Sequence, residues 1–269
     1  MESKKRSYLE AVKHIPDNAV IGTSSYGMGG LPEQLIAGVG EYYKEHQHPK
    51  NITFSTTAGI GVGKGRGLDH LVQPGLLKRA VVSHIATSPI ANQAAHQNAF
   101  ELFVIPQGMI GKLYQNAANQ GPGVFSKVGI DTYVDPNHEG GKMNDKAKES
   151  EDIVESIELN GERWLHYKPL PINVAFIKAS FADKNGNLSM KREPALLESL
   201  SLAIAAHNAG GVVIAQVEEM VDNHTIPAQE VAVPGMLVDY VVVNEKKEYH
   251  MQTAGTSYSP VLSNEIRVA

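Results

Sequence analysis

An α/β fold, with a mainly parallel sheet flanked by helices, is what this sequence predicts, and three observations predict it. Short β-rich runs recur along the chain, most of them bounded by Gly, Pro or Ser. Amphipathic helical patterns lie between several of these runs. The chain has 269 residues at 42% hydrophobic composition, ample to bury a substantial core. Strand, helix, strand alternation needs crossover connections, and these place helices on both faces of a parallel sheet. At roughly 150 residues per domain the length allows one large or two small units. Nothing in the sequence forces a division, so 1–269 reads as one domain.

The β-rich runs fall at 19–23, 52–55, 80–84, 102–105, 174–180, 212–217 and 240–244. After the first, Pro32 opens a segment in which Leu35, Ile36, Val39 and Tyr43 share one helical face, ahead of a polar stretch over 44–50. Before the fifth, Ile153, Ile157 and Leu159 lead into Asn160-Gly161, and Trp164, His166 and Tyr167 follow. Asn-Gly between such arms predicts a hairpin with a type I′ turn. The clearest helix spans 194–208, with Pro194 in its first turn, Leu196, Leu200, Ala203, Ile204 and His207 on one face, and Gly210-Gly211 as its stop.

The charge balance is 24 Lys+Arg against 29 Asp+Glu, or 24 − 29 = −5, with no basic block interleaved with aromatics. That excludes a general attraction to phosphate backbones and makes nucleic acid an unexpected partner. The longest apolar runs, at 212–215 and 241–243, fall far short of the roughly 20 residues that span a bilayer. Lys4, Lys5 and Arg6 look like the start of a signal peptide, but Glu10 interrupts the apolar stretch that should follow, so the expected location is the cytoplasm. There is no Cys, which removes disulfides, Cys-ligated metal and thiol nucleophiles together.

Named catalytic templates fail. The run Gly59-Ile-Gly-Val-Gly-Lys-Gly-Arg-Gly67 follows a strand, yet Lys64 stands where GxGxxG needs Gly, and Gly65 follows Lys64 where a Walker loop needs Ser or Thr. Both a ligand-facing loop and a structural turn remain open for it. Eleven His include no HExxH, and His46 and His48 sit in a polar connection, so no metal site is expected. A GxSxG elbow around Ser24 is ruled out by Tyr26.

Two strand-to-helix junctions carry more. In 17–33 a strand runs into Ser24-Ser-Tyr-Gly-Met-Gly-Gly30 and then the Pro-opened helix, placing small residues and free N–H groups at a strand's carboxyl end. In 103–109 an apolar strand ends in Pro106-Gln107-Gly108, where Gln107 can donate to a carboxylate or a developing oxyanion without adding charge.

Together with Ser55-Thr-Thr-Ala-Gly59, Ser83-His-Ile-Ala86, Asp135-Pro-Asn-His-Glu-Gly-Gly-Lys142, Ala182-Asp-Lys-Asn-Gly-Asn-Leu188, Val231-Ala-Val-Pro-Gly235 and His250-Met-Gln-Thr253, these junctions resemble class I CoA-transferases. The resemblance is to the α, or amino-terminal, half of the acetate/propionate-type acyl-CoA:carboxylate enzymes, and it runs through the whole chain in family order. Asp17, Gly30 and Pro32 match the family's α signature, whereas Ser24-Ser25-Tyr26 stands where Gly-Gly-Phe is usual, and Thr56 and Thr57 stand where Asn-Asn is common.

The resemblance implies transfer of CoA between short carboxylic acids through a glutamyl-CoA intermediate, with CoA as substrate and no metal or redox cofactor. It implies that Gln107, with Gly108, Ser24, Thr56, Thr57 and Gly59, lines the carboxylate and oxyanion site. It places the nucleophilic glutamate in a β part beyond this chain, which ends at 265–269, about where a fused enzyme would pass from α to β. A β subunit or β half, acyl-CoA and short acids are the implied partners, in an oligomer. The carboxylates Glu33, Glu218 and Glu219 read instead as helix-start or strand-end charges. A non-catalytic carboxylate-binding module and an acyl-CoA hydrolase of the same fold are the alternatives.

Overall fold

The computed structural model describes residues 3–63 and 65–267. In chain order the elements are α1 (Tyr8–Val12), β1 (Val20–Thr23), α2 (Glu33–His46), β2 (Ile52–Thr56), β3 (Leu77–Val82), α3 (Pro89–His96), β4 (Glu101–Val104), α4 (Gln107–Ala118) and β5 (Val124–Ser126). They continue with α5 (Asp145–Lys148), β6 (Val154–Leu159), β7 (Glu162–Tyr167), β8 (Val174–Asp183), β9 (Leu188–Ser189), α6 (Ser199–Asn208), β10 (Val212–Val221), β11 (Val231–Val233) and β12 (Tyr240–Val243).

Seven strands pair in parallel in the order β12-β10-β8-β1-β2-β3-β4. The chain therefore builds outward from β1 to β4, returns beside β1, and builds outward the other way through β10 to β12. The order reverses between β1 and β8, where Ile21 lies beside Val174. In open parallel sheets the crevice at such a switch point, outside the carboxyl ends of the strands, is where ligands bind. Strand β8 runs on past β1, and the antiparallel β9 and β11 pair along that extension.

Alternation along the strands divides the core between the two faces. Ile21, Phe54, Ala80, Val82 and Leu102 pack with Leu35, Ile36, Val39 and Tyr43 of α2 on one side. Val81, Phe103, Ala175 and Val213 pack with Met109, Ile110, Leu113 and Tyr114 of α4 and with Leu202, Ala203 and Ala206 of α6 on the other. The α2 face is thus the one the sequence predicts. The hairpin also forms as expected: β6 and β7 pair in register from Val154–Tyr167 to Leu159–Glu162, and Asn160 and Gly161 both have positive φ, 55° and 76°. It gains β5 as a third strand.

Two expectations are corrected. Strand β3 covers Leu77–Val82, leaving Ser83 and His84 in a loop. Helix α6 starts at Ser199 and not at Pro194, because Leu197 sits in the left-handed region at φ 51°, which interrupts a right-handed helix. Its buried face is Leu202, Ala203, Ala205 and Ala206, while Leu196, Leu200 and His207 are exposed. Small alanines let α6 approach α4 and the sheet closely, which a Leu face would prevent. Among the described residues, no helix is long and apolar enough to cross a membrane.

A candidate active site at the carboxyl edge of the sheet

Strands β1, β2, β3 and β4 end side by side, and the residues that follow them build one polar wall. Beyond β1, Ser24 and Ser25 are buried. The hydroxyl of Thr57, beyond β2, accepts the Ser25 amide (3.0 Å), donates to the Ser25 carbonyl (2.9 Å) and lies 3.2 Å from Ser24 Oγ. Thr56 Oγ1 lies 2.9 Å from Ser25 Oγ. With their bonds made inside the chain, Thr56 and Thr57 hold the Ser24-Ser25 turn against the neighbouring strand. Each such bond contributes about 1 kcal/mol net, and leaving one buried partner unpaired costs more.

Behind the wall, the Tyr114 hydroxyl is fully buried, 2.8 Å from Ser55 Oγ, and donates to the Thr23 carbonyl at 3.2 Å. Burial raises its pKa, and the nearby Glu198 adds to the rise, so the phenol stays protonated.

Of the other sequence-predicted residues, Gln107 and Gly108 face outward and Gly59 is buried. Gln107 is the first residue of α4, capped by Pro106, and both Gln107 and Gly108 are exposed. Among the described residues the Gln107 side chain makes no hydrogen bond, and the first-turn N–H groups of Gln107 and Gly108 have no partner in the chain. A neutral amide thus stands at the positive end of a 12-residue helix, a combination that suits a carboxylate or an oxyanion. A Cβ added at Gly108 would meet nothing within 4 Å, so this approach is open. At Gly59 it would lie 2.0 Å from the His84 ring, so the absence of a side chain there lets the imidazole lie flat on the β2 loop.

Glu198 completes the wall, and sequence reasoning missed it because the residue sits inside a stretch read as regular helix. It precedes α6, accepts the Ser24 hydroxyl, and its amide lies 3.4 Å from Ser24 Oγ. Gly111, one turn after Gln107 on the same face of α4, makes room for it: a Cβ there would approach Glu198 Oε1 to 2.8 Å.

The remaining carboxylates are placed elsewhere. Glu33 is fully buried, accepting the Gly67 amide (2.9 Å) and facing His70 Nε2 (2.9 Å). It therefore pins the base of the glycine-rich loop, whose other end is tied by Gly63 N–H to the Thr87 carbonyl (3.0 Å) and Thr87 Oγ1 to the Ile60 carbonyl (3.0 Å). The base of that loop is structural, and Lys64 at its tip lies outside the described residues. Glu218 pairs with Arg192 at 2.9 Å, and Glu219 is exposed. His48 pairs with Asp17 at 3.0 Å, and His46 lies against Tyr42 with the two rings tilted by 40°.

A second polar cluster is built from β8 and β10 and from the segment that follows β12. Lys178 is buried with its ammonium 2.7 Å from Glu193, and it also donates to the Met251 carbonyl at 2.9 Å. Gln216 binds the Tyr249 carbonyl (2.7 Å) and lies 3.2 Å from His250 Nδ1. A cleft of about 460 Å³ opens here, lined by Arg192, Glu218, Asn244, Lys247, His250 and Tyr258 among others.

Fold and site define an open α/β protein with a polar wall at the carboxyl edge of its parallel sheet. The coenzyme A transferase family model matches residues 5–244, and the chain belongs to that family. It is 38% identical to the caffeate CoA-transferase of Acetobacterium woodii over 261 residues, 97% of this chain and 49% of that enzyme. The alpha subunit of an Escherichia coli acetate CoA-transferase matches at 22% identity over 92% of this chain and 100% of the subunit. The acyl-CoA transferase YdiF of Escherichia coli O157:H7 superposes with a TM-score of 0.91 at 34% identity, covering 99% of this chain and 51% of that one. It has been solved as apoenzyme and as a thioester complex with CoA. The chain thus spans about half the length of the single-chain relatives it matches.

Proposed function

We propose that this chain is the α part of a short-chain acyl-CoA:carboxylate CoA-transferase, supplying the wall that receives the acid, and that a β part supplies the nucleophilic glutamate. The observation that carries the reading is Gln107: an exposed, uncommitted amide at the start of α4, one helical turn before Gly111, which packs against Glu198.

The chemistry balances without any further group. The β glutamate attacks the acyl-CoA thioester, giving a mixed anhydride and CoA thiolate. The thiolate attacks the enzyme-side carbonyl, giving glutamyl-CoA and releasing the first acid, and a second acid reverses the sequence. Each attack places negative charge on a carbonyl oxygen, where Gln107 and the α4 N-terminus can donate to it. CoA is a substrate, and the scheme requires no metal or redox cofactor. The match over the full length of an acetate CoA-transferase alpha subunit supports the α reading, and the thioester complex of YdiF with CoA supports CoA as substrate. A cytoplasmic location and an oligomer of α and β parts belong to the same reading.

The test is to co-express the chain with its β part and follow acetyl-CoA with propionate. Propionyl-CoA formed only when both parts are present is the expected result. Free CoA formed at the same rate with and without propionate would indicate a hydrolase, and saturable acid binding with no turnover a binding module.

A further inference from the structure

Helix α4 starts at the carboxyl edge and runs back along the sheet, so Gly111 lies about 6 Å deeper than Gln107 at 1.5 Å of rise per residue. Glu198, packed over Gly111 and bonded to Ser24, therefore lies about one helical turn below Gln107. It is half-buried, with Oε1 turned toward α4. The other buried or half-buried carboxylates nearby have cations or rings: Glu33 has His70, Glu193 has Lys178, Glu218 has Arg192. Among the described residues Glu198 has none, only the Ser24 hydroxyl.

From this juxtaposition we infer that Glu198 sets acyl-chain selectivity, admitting chains with uncharged ends and rejecting those that carry a second carboxylate. The inference rests on the reading of the site just given. A reacting carboxylate meets Gln107 and the positive end of α4. A second carboxylate at the far end of a four-carbon chain meets Glu198, with no cation to offset it. The repulsion between Glu198 and the reacting carboxylate is common to all acids, whereas a second carboxylate brought closer to Glu198 adds a further like-charge term that lowers affinity about 10-fold or more. A hydroxyl at the chain end can instead donate to Glu198 Oε1.

Butyrate and succinate, which differ only in a terminal methyl against a carboxylate, are the probes. In the assembled enzyme Glu198→Gln is expected to raise the ratio of kcat/KM for succinate to that for butyrate at least tenfold. Glu198→Met, which removes the charge without relying on an amide, should do the same, and Glu198→Asp should keep the wild-type ratio. An unchanged ratio in both neutral variants, with butyrate turnover intact, overturns the inference and leaves the transferase reading standing. If wild type transfers CoA neither to these acids nor to propionate, the transferase reading fails; if it uses propionate alone, that reading stands, and in either case thermal shifts with butyrate and succinate decide the inference. Stabilisation by succinate in Glu198→Gln but not in wild type supports it, and equal shifts overturn it.

Discussion

The two polar clusters differ in what they leave undone. Around β8 and β10, Lys178 and Glu193 are both buried and satisfy each other at 2.7 Å, so a charge that would be costly alone is neutralised within the chain. Around β1 and β4, among the described residues, the Gln107 side chain and the N–H groups of Gln107 and Gly108 have no partner, and Glu198 has no cation. A polar group whose bonding capacity is spent internally holds the fold, whereas one left open at the carboxyl edge is available to a ligand.

The largest effect should come from the closed cluster. Lys178→Met leaves Glu193 buried without its counter-charge, and should lower unfolding stability by about 3–5 kcal/mol, read by denaturant melts. Adding Glu193→Leu should recover most of that loss; no recovery would mean that Lys178 acts through something other than its pairing.

Next is the open wall. Gln107→Ala in the assembled enzyme should reduce turnover by about 10²-fold, the usual cost of losing an oxyanion donor, while the melting temperature is unchanged. A large drop in stability with normal turnover would invert the comparison.

Acid should separate the regions further. Burial drives the His250 pKa down against the opposing influence of Glu193, so the ring is neutral in the folded chain. Burial pushes Glu193 up, but the Lys178 ammonium and His250, 3.6 Å away, more than offset this and hold it below the ordinary carboxylate value. Both groups bind protons more readily when unfolded, so their contributions are full above the unfolded pKa values and fade on acidification. The His250 contribution begins to fade below about pH 6.5 and that of Glu193 below about pH 4.3. Stability measured from pH 7 to 4 should fall, with the His250→Gln variant losing the upper part of that dependence.

The smallest effect on folding is expected at the rim. Leu196, 63% exposed, and Tyr26, 71% exposed, flank the wall. Leu196→Ser should change the stability of the isolated chain by less than about 0.5 kcal/mol, yet weaken association with the β part in a titration.

Much of this was legible in the sequence. Seven strands and the α2 face follow from apolar runs and 3.6-residue periodicity, because burial writes itself into spacing. Gln107 was legible since Pro106 and Gly108 mark a strand-to-helix junction. Glu198 was not, because Leu197 adopts a left-handed conformation that no local pattern announces, and the Ser24 contact joins residues 174 positions apart. The same blindness set the start of α6 five residues early. The buried Lys178–Glu193 pair was hidden because charge alone does not reveal burial.

The most direct test of the central claim, that this chain receives the acid while the β part carries the nucleophile, is intact-mass analysis of the assembled enzyme after incubation with acetyl-CoA. The account predicts a CoA adduct on the β part and an unmodified mass for this chain. An adduct on this chain, at Glu33, Glu198, Glu218 or Glu219, would contradict it.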